Sequence, residues 1–102
     1  MHAFLLGILI LLLHEPAMAN AQLALDKGCF NCHGEPPRRN MPSFAQLAAD
    51  YAKVRSDPAK QAKLAEKLRN GSILKHVDAH ERLSEADATR LVRWIADGAP
   101  AQ

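Results

Sequence analysis

The sequence predicts an all-α protein. Three observations carry that expectation. Beyond residue 19 the chain has no run of alternating β-branched residues and no short hairpin-turn signal. Ala88, Leu91, Val92 and Ile95 recur at i, i+3, i+4 and i+7, which puts four apolar side chains on one helix face. Start and stop residues also recur in pairs: Asp57-Pro58 with Asn70-Gly71, and Ser84 with Gly98 and Pro100.

Residues 1–19 read as an export leader. Ala3 to Leu13 is a continuous apolar run, His14-Glu15-Pro16 breaks it, and Ala17-Met18-Ala19 is a small-x-small cleavage site. The leader's first residues depart from the usual pattern, with His2 and the amino terminus in place of Lys or Arg. Eleven apolar residues at ~1.5 Å each cover about half of a ~30 Å hydrocarbon core, so a cleaved leader is expected rather than a permanent anchor. No cysteine stands at the cleavage site to carry a lipid. The expected location is the periplasm, with no stable membrane insertion once the leader is gone.

Cleavage leaves 83 residues, 20–102, which is one small domain. A core of that size is marginal without a staple. All 13 Lys and Arg and ten of the 11 Asp and Glu lie beyond residue 19, a net +3. So mild an excess does not argue for nucleic acid, but it can steer the domain toward an acidic partner.

The elements follow in order. A first helix is expected from about Ala21 through Cys32, with Leu23, Ala24 and Leu25 as its apolar surface, stopped by Gly34 and Pro36-Pro37. A loop through Arg38, Arg39 and Asn40 leads to Met41-Pro42. Ser43 then caps a short helix with Phe44, Leu47, Ala48 and Tyr51 on one face. Asp57 caps the next helix, with Pro58 at its first position and Asn70-Gly71 at its end. Ala62, Leu64, Ala65 and Leu68 form its expected buried stripe, and Lys60, Lys63 and Lys67 its solvent face. Ser84 and Asp87 open the last helix in capping-box fashion. Trp94 lies beside its apolar stripe and is expected at a helix crossing, with its indole N–H near a polar neighbour.

The chemistry is concentrated in Cys29-Phe30-Asn31-Cys32-His33, a C-x-x-C-H motif. Two thiols three positions apart in a helical turn can each add across one vinyl group of the same haem. His33 can then donate an imidazole nitrogen to the iron. These are the only two cysteines, too few for a zinc site without distant histidines. A thioredoxin-like dithiol shares C-x-x-C but needs β-α-β patterning, which is absent here. A structural disulfide across so short a loop would stabilise little. Haem attachment is the expectation, and haem would supply the staple the small core needs.

On these residues the chain resembles a class I cytochrome c of the short bacterial monohaem type. The parts that carry the resemblance are Gly28-Cys29-Phe30-Asn31-Cys32-His33, Met41-Pro42-Ser43-Phe44, Leu68-Arg69-Asn70-Gly71 and Leu83-Ser84-Glu85-Ala86-Asp87 before an amphipathic terminal helix. They cover nearly all of residues 20–102. The resemblance implies about four helices wrapped around one covalently bound haem c, with the terminal helices crossing near it. In that family a Gly-Pro pair follows the motif, and the proline carbonyl accepts a hydrogen bond from the proximal histidine. Pro42 matches that proline, whereas Met41 replaces the glycine. The expected haem-binding residues are therefore Cys29, Cys32, His33 and Pro42, with Pro42 fixing the tautomer of His33.

The chain departs from the family at the sixth ligand. Relatives place a methionine seven or eight residues before the residue that caps the last helix. Counting back from Ser84 gives Val77 and His76, and no methionine lies between Gly71 and Ser84. His76 is the expected substitute, giving the metal ligands His33 and His76. His80, Met41 or an open iron are the alternatives. Lys75 is a weaker one, since an ammonium must first lose its proton. A closed pocket implies a carrier of single electrons between periplasmic or membrane-bound redox proteins, and no enzyme by itself. An open site implies binding or sensing of a small gas. Arg38, Arg39 and Lys75 read either as ordinary loop solubility or as a positive docking rim.

Overall fold

The computed structural model describes residues 17–71 and 75–101, with side chains described from Asn20 onward. The leader's apolar run and its His14-Glu15-Pro16 break lie outside the described residues, as do Ser72, Ile73 and Leu74. The protein is all-α. The helices are α1 (Ala17–Asp26), α2 (Phe30–His33), α3 (Phe44–Tyr51), α4 (Pro58–Asn70), α5 (Asp78–Glu81) and α6 (Glu85–Ala96), with a 3-10 turn at Ala52–Val54 after α3. Four of the six run eight residues or longer, while α2 and α5 are single turns. Among the described residues no helix is long and apolar enough to cross a membrane.

Helix α6 is the hub, packing against α1, α3 and α4. Its N-cap is the expected one, the Ser84 hydroxyl accepting a hydrogen bond from the Asp87 amide at 3.0 Å, while the Asp87 carboxylate pairs with Lys27 at 3.8 Å. Ala88, Leu91, Val92 and Ile95 are all buried, and Val92 is completely so. Trp94 is also buried, and its Nε1 donates to the Pro100 carbonyl at 3.1 Å. At the other end the Gly98 amide donates to Ile95 and the Ala99 amide to Trp94, a Schellman closure with Gly98 at φ 108°.

Two expectations need correction. The helix expected from Ala21 through Cys32 is interrupted. The Gly28 amide donates to Leu25 and the Cys29 amide to Ala24, so α1 ends in a second Schellman closure with Gly28 at φ 76°. Cys29 then starts α2 in a new direction. Because an L side chain at that φ is strained, Gly28→Ala is expected to destabilise the protein by about 1–2 kcal/mol, seen as a lower denaturant midpoint. The apolar side of α1 differs too: Ala21 and Ala24 are buried, and Leu25 is 55% exposed. Small side chains there let α1 approach α6 closely.

Helix α4 starts and stops as its sequence predicts. The Asp57 carboxylate accepts from the Lys60 amide at 3.0 Å, Pro58 is at the first turn, and Gly71 follows at φ 65°. Leu64, Ala65 and Leu68 face the core as expected, and the stripe departs from expectation at one position. Ala65 is buried, but Ala62 is exposed and Gln61 is buried instead. The Gln61 amide nitrogen donates to the Val54 and Arg55 carbonyls at 2.9 Å each, so the buried polar group is satisfied. Arg55 in turn donates from Nε to the Ala96 carbonyl at 2.9 Å, tying the 3-10 turn to the end of α6.

Candidate functional site

Helices α2, α3, α4, α5 and α6 enclose a cavity of about 430 Å³. Its walls are mostly apolar: Phe44, Leu47 and Tyr51 come from α3, Leu68 from α4, and Leu91 and Ile95 from α6. Leu83, buried before α6, closes one side. Cys29, His33, Met41 and Pro42 line it from the motif side, and His80 lines it from α5. Lys67 and Lys75 also line it. Lys67, expected to face solvent with Lys60 and Lys63, is exposed yet borders the cavity alongside Leu68 and Gly71.

The motif is folded locally. The His33 amide donates to the Cys29 carbonyl at 2.9 Å, closing one turn over the two cysteines. Gly34 follows, at a position with no room for a side chain. A Cβ there would lie 2.7 Å from the Phe30 carbonyl oxygen, so a side chain would push the turn apart. The two cysteines are free thiols. Burial pushes the Cys29 pKa up, with Cys32 adding to the shift and a hydrogen bond to the backbone of Cys29 opposing it, so this thiol is protonated at neutral pH. Cys32 is half-buried one turn on and does not line the cavity.

His33 Nδ1 lies 2.6 Å from the Pro42 carbonyl oxygen. A carbonyl only accepts, so Nδ1 carries the hydrogen, and in the neutral ring that tautomer puts the lone pair a metal needs on Nε2. This is the contact expected of Pro42. Phe44 packs against the same ring, with centroids 5.6 Å apart. Phe44 is itself held by Ser43, whose side chain and backbone form a reciprocal capping box with Gln46.

The two loop histidines are placed differently. His80 sits in α5 and is half-buried, with its ring centroid 6.3 Å from that of His33 and the two rings within 10° of parallel. Burial, with His33 second, pushes the His80 pKa below its ordinary value, so its ring is neutral at pH 7. His76 is not brought to the cavity. Its side chain is 65% exposed, and Nδ1 lies 2.7 Å from the Glu81 carboxylate. The sequence places Tyr51 on the same helix face as Phe44 and Leu47. It borders the cavity, and burial followed by the Asp50 charge pushes its phenol pKa up.

The arrangement can hold a flat, largely apolar body beside a neutral imidazole and a thiol. Among the described residues no three His, Cys, Asp or Glu side chains gather as a metal cage. A porphyrin brings its own four nitrogens and asks the protein for axial ligands alone. No family model, no curated protein and no solved structure matches the chain.

Proposed function

We propose that the domain is a monohaem c-type cytochrome of the periplasm, a cytochrome c-like fold that carries single electrons between redox proteins. The observation that supports it most is the C-x-x-C-H turn standing at the wall of an apolar cavity, with His33 Nδ1 held by the Pro42 carbonyl. The cavity residues fit a haem: apolar walls for the ring, a thiol at one edge and cationic Lys67 and Lys75 beside it for the propionates. When bound, haem iron supplies the one-electron redox couple.

The chain's own residues do the rest. Cys29 and Cys32 are the thiols that would hold the haem through thioether bonds, each S–H adding across one vinyl double bond with no net oxidation. His33 would hold the iron through Nε2, and the hydrogen bond to the Pro42 carbonyl would make its imidazole a stronger donor. Phe44, Leu68, Leu91 and Ile95 line the cavity and would keep water from a bound ring. Exposed Arg38 and Arg39, close after the motif, give a positive edge for a redox partner.

Mass spectrometry of the exported protein tests the reading. The expected result is a chain beginning near Asn20 with one added haem that survives acid–organic extraction. A haem lost on extraction, or an unmodified dithiol from cells competent in cytochrome c maturation, overturns it.

A further inference from the structure

We infer that His80 is the second axial ligand, facing His33 across the cavity so that the iron is held between two imidazoles. The inference rests on the haem reading above. It is carried by the disposition of the two rings, 6.3 Å apart between centroids and 10° from parallel. Two metal–imidazole bonds of ~2.0 Å, plus ~1.1 Å from each ligating nitrogen to its ring centre, add up to about 6 Å. The separation of the two near-parallel rings leaves room for one metal atom between them, and both rings line the same cavity.

The support around His80 points the same way. Helix α5 is a single turn, and a turn that carries a ligand must be held at both ends. At its far end the Leu83 amide donates to the His80 carbonyl at 3.2 Å, Leu83 is buried, and Arg69 Nε donates to the Leu83 carbonyl at 3.0 Å. At its near end His76 reaches over the turn to Glu81. His76 thus acts as a clasp on the turn that presents His80. Met41 borders the cavity too, but it adjoins Pro42, whose carbonyl holds His33.

Two imidazoles close the iron to exogenous ligands and set its potential below that of a His/Met relative. Covalent haem is first verified by mass, and its absence overturns the functional reading and this inference together. With haem in place, the oxidised wild-type protein is expected to be low-spin, with the rhombic EPR signal of near-parallel imidazole planes. The reduced protein is expected to leave CO unbound. His80→Ala should turn high-spin and bind CO, while His76→Ala should keep the wild-type spectrum. His80→Met guards against a variant that merely fails to fold, since a thioether offered from the same turn should keep the iron low-spin and raise its potential. The inference is overturned by a high-spin wild type, by a His80→Ala protein that stays low-spin, or by a His80→Met protein of unchanged potential. A His76→Ala protein that alone turns high-spin gives the ligand to His76.

Discussion

Replacing His33 by alanine is expected to abolish accumulation of mature, haem-loaded protein. The variant loses the nitrogen proposed to bind the iron, and the Pro42 carbonyl loses its donor. Removing one supporting hydrogen bond at a metal site typically costs about 10–100-fold in metal affinity, and removing the ligand itself costs more. The effect reaches stability because the cavity lies among the residues that form the core. Phe44, Leu83, Leu91 and Ile95 border the cavity and belong to the buried cluster. Without a bound ring these side chains would border open space, and so small a domain has little stability to lose. Haem staining and immunoblotting of periplasmic extracts measure the outcome. Normal amounts of His33→Ala protein with an unchanged haem spectrum would remove His33 from the site.

Local chemistry made part of this fold readable. Ser84, Asp57-Pro58 and Gly71 act on the backbone within a few residues, so their effect is written where they stand. The face of α6 was readable because a single helical period governs it, and Trp94 because an indole needs both burial and one acceptor. The misreadings have a common origin in partners distant in sequence or in backbone conformation. Gln61 is buried because two carbonyls of the preceding 3-10 turn need its amide, and no periodicity announces that. Gly28 stands inside what looks like one helix, yet its positive φ redirects the chain just before the motif. Of the candidate site, Cys29, His33 and Pro42 were legible from spacing and resemblance, and all three line the cavity. The choice between His76 and His80 was not. Both lie in a segment without periodicity, and counting back from a helix cap ignores the short turn α5 that decides which ring faces inward.

Trp94→Ala is expected to be the most damaging substitution away from the motif. Trp94 is 3% exposed and sits in an aromatic cluster, with its ring centroid 5.0 Å from Phe44 and 6.3 Å from Phe30, each edge to face. Phe30 and Phe44 are in turn 4.9 Å apart. Truncating a buried tryptophan costs about 3–5 kcal/mol, which is a large fraction of the ~5–15 kcal/mol that holds a small domain together. Trp94→Phe keeps ring packing and loses the hydrogen bond to the Pro100 carbonyl, so it should cost only about 1 kcal/mol more than the lost area explains. The cluster also connects core to site, since Phe44 packs on His33 while Phe30 lies within the motif. Loosening it should therefore disturb the haem spectrum before the protein unfolds. Denaturant titrations followed in parallel by far-UV circular dichroism and by haem absorbance will separate the two effects. In the wild type both probes should report one transition. In Trp94→Ala the haem signal should change first, and coincident transitions at the wild-type midpoint would show that the aromatic cluster supports neither the fold nor the site.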